Sequence, residues 1–184
     1  NYLLNNPTAH SKTANLFRWV ATIVAVFLTS AQGRADLGAY IGFLMLAMHF
    51  KTSDHLLADY KSVATTLVFG GLFEYALIKT QMVSYLGESS WSPVPLWVLV
   101  YWAVLGTTLN GIFSGFKEHP IMALMMGLIM GPGIWSLGRM AGAIDIIQSP
   151  ESYIALGIGW GILFPVLVNV AHYYSLSSER IERR

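Results

Sequence analysis

The sequence predicts an all-α, polytopic transmembrane helix bundle of about six spans. Three observations predict it. Hydrophobic residues make up 54% of the 184 residues and charged residues only 11%, with a mean hydropathy of +0.53. Soluble domains carry about 25% charged residues, so a water-soluble enzyme is excluded first. The apolar residues arrive in continuous runs, whereas a β-barrel needs alternating segments of about ten residues. Lys and Arg fall unevenly between the connections, as they do when loops lie on two sides of a bilayer.

The elements follow in order. The first apolar block covers residues 16–31 and the second 37–50. Both are short beside the about 20 residues of a full crossing, so little tilt is expected of them. The third, residues 63–86, contains Glu74 and Lys79. The fourth, 95–113, is rich in Leu, Val and Trp. The fifth, 121–144, is interrupted by Gly131, Pro132 and Gly133, where Pro132 removes a backbone donor and a break or kink is expected. The sixth, 153–174, contains Pro165. Polar connections cover 32–36, 51–62, 87–94, 114–120 and 145–152. Residues 1–15 read as a polar cytoplasmic segment without the pattern of a secretory signal peptide, 16–175 as the membrane domain and 176–184 as a charged cytoplasmic tail.

Orientation follows from the basic residues. Lys12, Arg18, Lys51, Lys61, Lys117, Arg180, Arg183 and Arg184 fall on the side of the two termini, against Arg34, Lys79 and Arg139 on the other. Both termini are therefore expected in the cytoplasm. Trp19, Trp91, Trp97, Tyr153, Tyr173 and Tyr174 read as interfacial anchors. A net charge of +1 gives no reason to expect a nucleic-acid partner. The absence of cysteine excludes disulfides, thiolate zinc sites and iron–sulfur clusters within the chain.

Glu74 is the most informative single residue. An acid near mid-depth costs about 2.5–3.5 kcal/mol on insertion scales, so it should face the bundle interior and find a partner. It reads either as helix glue or as a proton- or ligand-handling group. Arg139, between Gly138 and Gly142, reads as a phosphate or carboxylate grip or as a snorkelling residue. Asn110 and Asn169 read first as interhelical hydrogen-bonding groups and second as lipid ligands. Gly127, Gly131, Gly138 and Gly142 have the spacing of close helix packing. Met122, Met125, Met126 and Met130 form a packing stripe. His49 and His55 could join His172 at a metal, but their spacing matches no metal motif, and they read as solvated histidines with no metal expected. Lys51, Asp54, Asp59 and Lys61 read as a solvated loop.

Three stretches carry a resemblance: PLWVLVYWAVLGTTLN at 95–110, HPIMALMMGLIMGPGIWSLGRMAGAI at 119–144 and LGIGWGILFPVLVNVAHYY at 156–174. They resemble a small bacterial inner-membrane family known only as a domain of unknown function. The matching positions are Thr107, Thr108, Leu109 and Asn110; Gly131 and Pro132; Gly138, Arg139 and Gly142; and Trp160, Phe164 and Pro165. The resemblance implies a multi-pass protein of the bacterial inner membrane. It also implies an aspartate in the third span, where this chain carries Glu74. The family's genes tend to neighbour cyclopropane-fatty-acid-synthase-like and flavin amine-oxidase-like genes, which implies a link to lipid metabolism or envelope stress.

Three functional classes follow, in this order: a non-catalytic accessory or assembly subunit, a membrane enzyme or enzyme partner in lipid or fatty-acid modification, and a small proton-coupled transporter. No cofactor is expected, whereas a bound phospholipid is. The expected partners are the lipid bilayer and other membrane subunits or a second copy of the chain.

Overall fold

The computed structural model describes residues 7–86 and 92–182, with side chains over 12–86 and 92–178. The helices are α1 (Pro7–Ala31), α2 (Ala35–Thr52), α3 (Leu56–Lys79), α4 (Leu96–Gly106), α5 (Pro120–Ala141) and α6 (Glu151–Glu182). Two short strands, β1 (Val83–Tyr85) and β2 (Ile144–Ile146), and a 3-10 turn at Ser114–Glu118 complete the chain. The polar residues from Pro7 to Asn15 belong to α1, with Pro7 at the helix start where its missing N–H costs nothing. The expected loop over 51–62 is likewise mostly helix, because α3 begins at Leu56. Residues 1–6, the loop residues 87–91 with Trp91, the side chain of Arg180, and Arg183 and Arg184 lie outside the described residues.

The polytopic helical bundle predicted from the sequence is the architecture found. Four helical stretches are long and apolar enough to cross a membrane: Lys12–Ala31, Leu56–Lys79, Pro120–Ala141 and Glu151–Ser178. The other two apolar blocks fall short. α2 has 18 residues, and α4 has only 11. At 1.5 Å per residue α4 spans about 16 Å, roughly half of a hydrocarbon core.

The continuous apolar character of α4 has another cause. Trp97, Val98 and every residue from Val100 to Gly106 are buried, with neighbours on all sides. A helix apolar all round is one that the protein itself surrounds. α4 lies among α1, α2 and α3 and forms the middle of the core. Trp19 and Trp97, expected at the interface, are buried there too. Trp19 stands edge-on to Phe113, and Trp97 edge-on to Phe27 and Tyr85.

Three helices end in the same way at one end of the bundle. Gly33 follows α1 with φ of 73°, and Arg34 N–H closes back on the Thr29 carbonyl at 2.7 Å. Gly142 caps α5 with φ of 82°, and Ala143 N–H reaches the Gly138 carbonyl at 2.9 Å. α3 closes through Gln81, a non-glycine residue at φ of 55°, with Met82 N–H on the Leu77 carbonyl at 2.9 Å. Each bond satisfies a carbonyl that the helix end would orphan. The chain leaving α3 then forms β1, and the chain leaving α5 forms β2. The two pair antiparallel, with Val83 opposite Ile146, Ser84 opposite Asp145 and Tyr85 opposite Ile144.

Of the break or kink expected at Gly131–Pro132–Gly133, the break does not occur: α5 runs continuously from Pro120 to Ala141 with Pro132 inside it. Its neighbour along most of this length is α6. A Cβ at Gly127 would strike the backbone of Trp160, and one at Gly131 would strike the Trp160 ring. A side chain at Gly133, in contrast, would meet open space. Gly127→Ala should therefore lower stability by about 1–3 kcal/mol, as overpacking does. Gly133→Ala should raise it by up to about 1 kcal/mol through helix propensity. Thermal melts of the two variants in the same detergent check both signs.

Candidate functional site

Two polar groupings interrupt the apolar bundle, one towards each end. The first is built on Glu74. One turn earlier in α3, Gly70 has no side chain, and a Cβ there would strike the Trp102 ring, so α4 approaches closely. Trp102 Nε1 donates to Glu74 Oε1 at 3.0 Å. Tyr85, carried on β1, donates its hydroxyl to Glu74 Oε2, and Trp135 Nε1 from α5 donates to the Tyr85 oxygen at 2.7 Å. Trp160 of α6 stacks on Trp102, with ring centroids 4.7 Å apart and planes inclined by 28°. Glu74 has no exposed surface. Both of its oxygens are met by donors, and no cation among the described residues pairs with it. Chemically this arrangement holds elements together.

The second grouping surrounds a cavity of about 360 Å³ at the opposite end. The start of α1 supplies Ala14, Asn15 and Arg18; the end of α2 supplies His49 and Thr52; and Ser53, Asp54 and His55 follow. Asp59 comes from the first turn of α3, where the helix dipole favours an acid. Thr107, Asn110 and Gly111 come from the turns after α4. Ser53 fixes the reversal between α2 and α3. Its hydroxyl accepts from the His55 N–H at 3.1 Å and donates to Asp59 Oδ2 at 2.7 Å.

Asp59 Oδ2 also accepts from His49 Nε2 at 2.8 Å, and both side chains are buried. The carboxylate takes the Nε2 hydrogen, which leaves Nδ1 as the second, distinct nitrogen of the ring. Nδ1 is buried with no hydrogen-bond partner, and so is Asn15 Oδ1. Five further buried polar atoms among the described residues also lack a partner, Tyr101 Oη and Trp160 Nε1 beside the Glu74 network among them. Arg18 Nη2 donates to Thr52 Oγ1 at 3.1 Å. Among the described residues the Arg18 guanidinium makes no ion pair.

The remaining residues singled out in the sequence are dispersed. Arg139 is exposed, and its Nη1 donates to the Tyr153 hydroxyl at 3.4 Å; it shares no partner with Glu74. Asn110 lines the cavity, with its Nδ2 3.5 Å from Ser62 Oγ. Asn169 is exposed and donates to the carbonyl of Pro165 in its own helix at 2.8 Å, so it joins no second helix. His49 and Asp59, expected in solvent, are buried against each other. His55 is exposed at the rim, and His172 lines a separate cleft. Among the described residues no group of three or more His, Asp or Glu could hold a metal ion. Met122, Met125 and Met126 are exposed on α5, outside the core.

Sequence reasoning missed Asn15, Arg18, Ser53 and Asp59 as a set. They are spread over residues 15–59, and only the antiparallel return of α2 and α3 brings them together. One signal was present: an Asn just ahead of the first apolar run and an Arg at helical spacing from it inside that run.

A model of the family described as "Protein of unknown function (DUF2878)" matches residues 14–166. No curated protein and no solved structure matches the chain.

The Glu74 network makes a direct prediction. Tyr85→Phe removes the hydroxyl that joins Glu74 to Trp135 and leaves a buried acceptor and a buried donor each one partner short. Stability should fall by about 1–3 kcal/mol. Ser84→Ala, on the half-buried face of the same strand, should change it far less. Thermal unfolding in detergent, followed by tryptophan fluorescence, compares the two.

Proposed function

The chain belongs to the DUF2878 family of proteins of unknown function, and from that premise we propose that it is a lipid-handling membrane protein whose polar cavity holds the anionic headgroup of a phospholipid. The observation that carries this reading is the Arg18 guanidinium, which lines the cavity with no ion-pair partner among the described residues. A guanidinium presents paired donors that match phosphate geometry; of the two carboxylates that line the same cavity, Asp59 is engaged by His49 and Ser53, and neither it nor Asp54 pairs with Arg18. Asn15 and Asn110 add amide groups beside it.

The basic residues near this end support a cytoplasmic, headgroup-level position. Lys12, Lys51, Lys61 and Lys117 accompany Arg18 there. The His49–Asp59 pair adds a buried imidazole oriented by a carboxylate at the cavity wall. The transporter reading loses one of its two arguments, since α5 is unbroken at Pro132, and keeps the other, the buried acid Glu74.

Mass spectrometry of the gently extracted full chain tests the proposal. The wild-type protein should retain anionic phospholipid. Arg18→Gln should reduce retention about tenfold, the effect of losing one charge-assisted contact. Asn169→Ala, exposed and bonded within its own helix, should leave retention unchanged. Equal retention by Arg18→Gln and wild type would sink the proposal.

A further inference from the structure

A second polar cleft lies beside the first. Its volume is about 60 Å³, and it is lined by Leu109, Asn110, Ser114, Lys117, Val168, His172 and Ser175. The 3-10 turn carries Lys117, and α6 carries His172 and Ser175. Asn110 lines both the cleft and the larger cavity, so the two are neighbours across one side chain.

The chemistry of the cleft is one-sided. Lys117 offers three donors and no acceptor, and the His172 ring and the Ser175 hydroxyl each offer an N–H or O–H. Ser114 is already committed, because its hydroxyl donates to the Gly111 carbonyl at 2.8 Å. No carboxylate is among the described residues lining the cleft, and Lys117 makes no ion pair among them. Lys117, His172 and Ser175 are all half-buried, so an anion there would be partly shielded from water. The space suits a compact anion.

We propose that Lys117, His172 and Ser175 form a second anion subsite, joined through Asn110 to the Arg18 cavity, and that the ligand therefore carries two phosphate-class groups. This rests on the reading that the Arg18 cavity holds the first group. The Lys117 ammonium acts as a point charge on the outer phosphate, while Arg18 grips the inner one.

Native mass spectrometry of the full chain in detergent tests it with three probes: phosphatidic acid, diacylglycerol pyrophosphate and inorganic pyrophosphate. The wild-type protein should bind the two-phosphate lipid about tenfold more tightly than phosphatidic acid. Lys117→Gln combined with His172→Gln should abolish that preference while phosphatidic acid still binds as in wild type, which also shows the variant folded. Arg18→Gln should weaken both lipids. Competition by inorganic pyrophosphate that the double variant loses supports the subsite and assigns it to a soluble ligand; no competition, with the lipid preference intact, assigns it to the lipid. Equal wild-type affinity for the two lipids, or a preference that survives in the double variant, overturns the second subsite and leaves the Arg18 reading standing. If neither lipid binds the wild-type protein, the Arg18 reading itself fails.

Discussion

A carboxyl group enclosed by aromatic rings obliges the surrounding chain to bring donors to it, and Glu74 is the point on which the bundle is organised. Trp102 comes from α4 and Tyr85 from β1, while Trp135 reaches the carboxyl through the Tyr85 hydroxyl. None of these donors can be supplied by α3 itself, so the network forms only when α4, α5 and the strand are all in place. Gly70 makes the approach of Trp102 possible. Trp160 then extends the ring stack to α6. A polar network that is fully satisfied in a low-dielectric interior specifies one arrangement, because every alternative leaves a buried group unpaired.

Around that point the molecule divides its polar residues by role. At the β1–β2 end, the polar atoms of Glu74, Tyr85, Trp102 and Trp135 are spent on one another, while Tyr101 Oη and Trp160 Nε1 beside them have no partner. At the other end, Arg18, Asn15 and His49 keep capacity in reserve. Hydrogen bonds hold His49, Asp59 and Ser53 in fixed relation, yet one atom each of Asn15 and His49 stays unanswered. The Arg18 end differs in having an open cavity beside its polar groups.

The fold class was legible in the sequence because composition and continuous apolar blocks report directly on a lipid surrounding. The count of crossings was less so. Residues 95–113 look like a span, but hydropathy does not separate a helix wrapped by lipid from one wrapped by protein, and α4 is the latter. The unbroken course of α5 through Pro132 was hidden for a similar reason, since neighbouring helices decide whether a proline breaks the ladder. Glu74 was identified as buried from its depth alone. Its partners were not, because Tyr85 lies beyond the end of α3 and reaches back only through the β1–β2 pairing. Asp59 was misread as solvated because its neighbours in sequence are Lys51, Asp54 and Lys61, whereas its neighbour in space is His49. Local charge density describes a loop, and long-range return of the chain is what turns it into a buried pair.

The pairing of β1 with β2 bears on how this molecule can move. It ties the exits of α3 and α5 together at one extremity, directly over the Glu74 network, while the chamber containing Arg18 opens at the other. Sliding of these two helices past each other would cost the ladder and the buried network at once. Because α6 packs along α5 and against α3, the two helices tied at their exits are also joined along their length, and the three are held as one unit.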